Sequence, residues 1–107
     1  MRRKAVLAQH PQLTCAISPG AIVHPVYLSK IPDDLYSYVV AVMRNRRFFE
    51  CAILNSRGRQ IGWIYMAPGS ERVELDWHFD FSEVAFIVLD VCLGETEFGH
   101  AILYVIG

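Results

Sequence analysis

The chain has 107 residues, with 53% hydrophobic and 20% charged positions, a formal net charge of −1 and a mean hydropathy of +0.27. That length fits one domain spanning 1–107, and a pI of about 6.4 argues against the overall basicity usual in nucleic-acid binders. No apolar run is longer than that of residues 84–89, which is far short of a membrane span, and so small a domain has little interior for so much apolar surface, which points to a homo-oligomer.

The N-terminus Met1-Arg2-Arg3-Lys4 imitates the start of a secretory leader, but the apolar stretch behind it, residues 5–8, is broken by Gln9-His10-Pro11-Gln12. That is too short for a leader's apolar region, so a soluble, cytoplasmic protein with no membrane contact is expected. Cys15, Cys51 and Cys92 are odd in number and form no close pair, so each is expected as a small apolar side chain in a reducing compartment. Residues 1–31 carry Pro11, Pro19 and Pro25, each removing a backbone donor, and Pro19-Gly20 marks a turn. This stretch reads as extended, with short edge strands at most.

Residues 32–44 place Leu35, Tyr38, Val39, Val42 and Met43 at the helical period. Pro32 suits a first helical position, Asp33 and Asp34 the positive end of the dipole, Arg44 the negative end, and Asn45 a closing position. The β-branched and aromatic content of residues 36–42 favours a strand instead; the end signals and the period together favour helix.

Strands are expected from residue 48 onward. Residues 48–54 run into the turn cluster Asn55-Ser56-Arg57-Gly58. Residues 60–66 follow, with Ile61, Trp63 and Tyr65 on one side and Gly62, Ile64 and Met66 on the other, and then a turn at Pro68-Gly69. Val73, Leu75, Trp77, Phe79 and Phe81 alternate with Arg72, Glu74, Asp76, His78 and Asp80, which predicts a ten-residue strand with one buried and one wet face. Trp63 and Trp77 are expected in one core aromatic cluster. Residues 84–93 read as a central strand, although Ser82 and Gly94 could bound a helix there. Residues 98–106 are so apolar that an unpaired edge would invite aggregation, so this strand is internal to the sheet or paired with another subunit.

The predicted architecture is α+β: an antiparallel β-meander of about five strands with one packed helix, or an all-β sandwich or barrel if the helix fails to form. Charge divides along the chain. Residues 1–72 hold ten basic and four acidic groups; residues 73–107 hold seven acids and no Lys or Arg. Neutralisation between neighbouring strands is the expected reason.

The candidate ligand site is the wet face Glu74, Asp76, His78 and Asp80, with neighbours about 6.5–7 Å apart along one strand. Such a row could hold a divalent ion or supply an acid–base pair, although a polar outer face is also what any antiparallel sheet shows to water. His10, His24, His78 and His100 follow no metal-ligand spacing. Arg44, Arg46 and Arg47 stand beside Phe48 and Phe49, and Arg57 and Arg59 lie at the other end of the next strand, about 20 Å away, too far for a single nucleic-acid patch. No phosphate loop, dinucleotide fingerprint or nucleophile elbow occurs. No catalytic residue, metal or cofactor is assigned. The expected function is a non-enzymatic binding protein acting as a homo-oligomer, its partner a protein such as a toxin or regulator, or a small apolar ligand. The alternatives are a small metal-dependent hydrolase built around His78 and a nucleic-acid-binding regulator, the latter disfavoured by pI.

Overall fold

The most apolar segments take the middle of the sheet. A computed structural model of the chain describes residues 9–13, 17, 21–67, 71–90 and 99–107. Seven elements follow in order: β1 (Ile22–Leu28), α1 (Leu35–Arg46), β2 (Glu50–Leu54), β3 (Gln60–Met66), β4 (Val73–Asp76), β5 (Phe86–Asp90) and β6 (His100–Ile106). The strands form one sheet in the order β1-β6-β5-β2-β3-β4. Every pairing is antiparallel except β1 on β6, which is parallel and runs from Ile22↔His100 to Leu28↔Ile106. The α+β expectation holds, and the all-β alternative falls because α1 forms.

The meander expectation needs correction. Only β2-β3-β4 and β5-β6 are sequential neighbours, the strands among the described residues number six, and β5 leaves β4 to pair with β2. Burial explains the order. Phe86, Ile87, Val88 and Leu89 are all 5% exposed or less, so β5 needs cover on both faces and must be central. Glu74, Leu75 and Asp76 of β4 are exposed, which suits an edge. β6 sits between β1 and β5, so its apolar side chains are covered within the chain.

Two apolar layers sandwich the sheet. On one face, Leu35, Val39 and Met43 of α1 lie one turn apart and pack with Cys51, Ile53, Ile64, Ile87, Leu89, Ile102 and Tyr104. On the other, Leu13 of a short 3₁₀ turn (Pro11–Leu13) and Ile17 cover Val23, Leu54, Phe86, Val88 and Leu103. α1 begins one residue after Asp34, whose carboxylate accepts from the Ser37 N–H at 3.0 Å and the Ser37 hydroxyl at 2.8 Å. Pro32 therefore lies before the helix, and Asn45 lies inside it. The helix closes on Arg47, in the left-handed region at φ 58°, with the Phe48 N–H donating to the Met43 carbonyl at 2.9 Å.

The predicted ten-residue strand stops at Asp76. β4 pairs with β3 only from Met66↔Val73 to Trp63↔Asp76. One step further on β3 is Gly62, where a Cβ would come within 2.5 Å of the Phe79 ring. Phe79 lies over that bare backbone, and the chain at residues 77–80 makes no ladder. The inside–outside alternation nonetheless persists: Trp77 and Phe79 are half-buried against the helix-side layer, while His78 and Asp80 are exposed. Asp80 then caps a 3₁₀ turn (Phe81–Glu83), accepting from the Ser82 N–H at 2.9 Å. The helix alternative for residues 84–93 does not hold over Phe86–Asp90, which is strand. The expected turns at Pro19-Gly20 and Pro68-Gly69, and Cys15 and Cys92, lie outside the described residues.

Candidate functional site

The four residues of the predicted wet row divide into two pairs. Glu74 and Asp76 lie on β4, on the sheet face away from α1, because their partners in register are Tyr65 and Trp63. His78 and Asp80 lie past the strand's end. Asp80 is committed to its cap, and the Ser82 N–H that it accepts holds its carboxyl below the usual carboxylate range. Among the described residues, no group of three or more His, Cys, Asp and Glu side chains could hold a metal ion.

Around Glu74 and Asp76 the register assembles residues that spacing alone did not connect. Glu50 of β2 faces Tyr65, which faces Glu74; Ala52 faces Trp63, which faces Asp76. Trp63 and Tyr65 stack nearly parallel, centroids 6.0 Å apart at 9°. The Trp63 indole N–H donates to Glu50 Oε1 at 3.0 Å, which fixes the ring's tilt. Among the described residues neither aromatic belongs to an apolar layer of the core, whose members from β2 on this face are Ala52 and Leu54. The two tryptophans therefore do not share a cluster. Trp63 is on the outer face, and Trp77 packs under the helix, edge-on to Tyr36 at 5.6 Å and to Phe79 at 4.8 Å. The outer face of β2-β3-β4 thus presents a two-ring platform with Glu50 on one side and Glu74 and Asp76 on the other, all three exposed. Arg72 approaches Glu74 at 3.8 Å in a solvent-exposed pair of small energetic weight.

The sheet face under α1 carries a feature of opposite charge. A cleft of about 660 Å³ is lined by His24, Arg46, Arg47, Phe48, Phe49, His100 and Ile102. It lies where the end of α1 passes over the start of β6. His24 and His100 share a face, two residues apart in the β1–β6 register, and their rings stack with centroids 6.0 Å apart. A shallower hollow at the β2–β3 turn is lined by Gln12, Asn55, Arg57, Gly58 and Arg59. Asn55 Oδ1 there already accepts from the Arg57 and Arg59 N–H groups, so the side chain is used in shaping the turn.

The described titratable groups inside the core, Cys51 and Tyr104, are held in their neutral forms. Burial pushes the Cys51 thiol far up, with the neighbouring Glu50 charge adding to it, so the nucleophilic thiolate does not form near neutrality. Burial, together with a hydrogen bond to Tyr38, likewise raises Tyr104. The ionisable groups at the two surface features are exposed. Comparison with known protein families, with curated proteins and with solved structures finds no match for this chain.

Proposed function

We propose that this protein is a non-enzymatic interaction module that captures a cationic protein surface on the outer face of β2-β3-β4. The observation that carries this reading is the stacked Trp63–Tyr65 pair set between carboxylates on both neighbouring strands. Trp and Tyr dominate the energetics of protein interfaces because they bury much area for little lost freedom. The ring faces attract a guanidinium or ammonium group, and the carboxylates of Glu50 on one neighbouring strand and of Glu74 and Asp76 on the other can pair with such groups. Solvated carboxylates suit charge recognition, whereas acid–base catalysis draws on groups held out of water. The acid-only composition of residues 73–107 is consistent with such a partner.

Trp63 fluorescence provides the test, in a Trp77→Phe background so that one tryptophan reports. Arginine-rich peptides should quench it saturably, with affinity falling as salt rises, and oligoglutamate should not. Glu74→Gln combined with Asp76→Asn should weaken binding by about tenfold, the loss of two charge pairs at a partly desolvated contact. A photoreactive residue at position 72, beside the platform and not part of it, should cross-link a basic protein from a native extract. Equal quenching by the double variant, or a cross-linked partner of acidic charge, would sink the reading.

Self-association is the second reading. Ile22, Val26 and Tyr27, on the edge strand β1, are 46%, 37% and 61% exposed. Side-chain packing between copies at that edge would cover them, and light scattering that reports a monomer at the highest soluble concentration would remove it.

A further inference from the structure

The geometry points to a second binding site, in the cleft at the end of α1, for a small phosphorylated molecule carrying a flat ring. Three separate elements deliver four cation-forming side chains to one place: Arg46 and Arg47 from the end of α1, His24 from β1 and His100 from β6. Both arginines are exposed and make no salt bridge with any described residue. The helix C-terminus favours cations, which helps hold the two guanidinium groups there. Among the described residues no carboxylate or thiolate joins His24 and His100 to complete a metal-binding set.

Backbone strain supports the same place. Arg47 is the one non-glycine residue at positive φ among the described residues. Glycine would sit there without strain, and the position instead holds a side chain that lines the cleft. The rest of the lining fixes the ligand's other half. Phe48 and Ile102 are 5% and 4% exposed and form an apolar floor, with half-buried Phe49 in the same lining and the His24 and His100 rings beside Ile102 on the sheet. A volume of about 660 Å³ is far more than a phosphate ion fills and is typical of clefts that take small organic ligands. Adjacent arginines, with their planar forks, match a phosphate dianion, and the aromatic lining matches a ring.

The experiment is calorimetric titration with adenosine 5′-monophosphate, adenosine and inorganic phosphate as three separate probes. The monophosphate should bind at one site, with adenosine and phosphate each weaker by about tenfold or more. Arg47→Gly is the decisive variant, because it removes the guanidinium while relieving the left-handed strain. Affinity should fall about tenfold while Tm stays level or rises. Saturation absent at millimolar nucleotide, adenosine binding as well as its monophosphate, or unchanged affinity in Arg47→Gly would each overturn the proposal. The site lies across the sheet from Trp63, so Arg47→Gly should leave peptide quenching unaltered; the two readings fail separately.

Discussion

Gly62 is required by what lies over it. The Phe79 ring occupies the space a side chain would take, with the Ile53 Cβ a further 3.2 Å neighbour. Gly62→Ala should therefore cost about 1–3 kcal/mol, the usual penalty of forced overpacking, and thermal unfolding should show the drop. A milder loss would mean that the Phe79 ring swings away freely. Gly58 has a different reason, a left-handed φ of 78° in the β2–β3 turn, backed by close approach to the Gln12 carbonyl. Asp34 carries the clearest pH signature. Bonds from the Ser37 N–H and hydroxyl hold its carboxyl below the ordinary aspartate range. The native state therefore binds fewer protons than the unfolded chain around that range, so its stabilising effect is complete above about pH 4–5 and fades as pH falls through the depressed value. Asp34→Asn keeps the acceptor and removes the titration. Its unfolding free energy should fall less steeply than the parent's between about pH 5 and 2 in denaturant titrations. Parallel slopes would show that the cap does not titrate.

At the level of elements, what was legible followed from local rules and what was not depended on distant partners. β3 occupies the residues that its alternation and flanking turns mark, and α1 follows the period of Leu35, Val39 and Met43. Which side of β3 faces the core was not legible, because Gly62, Ile64 and Met66 look weaker than Ile61, Trp63 and Tyr65 until α1 and Phe79 cover the first set. β4 was read too long because amphipathic alternation persists at Trp77 and Phe79 without a neighbouring ladder. Glu74 and Asp76 could be placed on an outer face, but Glu50, Trp63 and Tyr65 join them only through antiparallel register. His24 and His100, 76 positions apart, meet through a parallel pairing that no local pattern encodes. That pairing also explains Pro25. The Ile22 N–H donates to the Gly99 carbonyl at 3.1 Å and the Leu28 carbonyl accepts from the Gly107 N–H at 2.9 Å, so even-numbered residues of β1 bond inward and odd-numbered ones face outward. Pro25 leaves its missing donor on the open side, where a proline is tolerated in a strand and where it blunts edge pairing. Pro25→Val should raise self-association above the parent's, measured by light scattering at matched concentration. Identical masses at every concentration would show that the edge is protected by something else.

At the scale of the whole molecule, the near-zero net charge hides a separation. Acids gather on the outer face of β2-β3-β4, and Arg46 and Arg47 gather on the helix side. Among the described residues, salt bridges do little of the expected neutralisation: Arg44, Arg46, Arg47, Arg57 and Arg59 make none, and the Arg72–Glu74 pair lies at the solvent-exposed start of β4. Like charges grouped on each face repel, and salt screens that repulsion over about 10 Å at 0.1 M. Raising NaCl from about 0.02 to 0.5 M should therefore leave Tm level or slightly higher, because among the described residues few attractive pairs exist to be weakened. The same change should loosen arginine-peptide binding on one face and nucleotide binding on the other, since each joins opposite charges. Calorimetry of the free protein, paired with titrations at the two salt levels, reads both effects in one series. A Tm that drops by several degrees with salt would mean that the fold leans on ion pairs between its basic and acidic halves. The two charged faces would then belong to folding rather than to recognition.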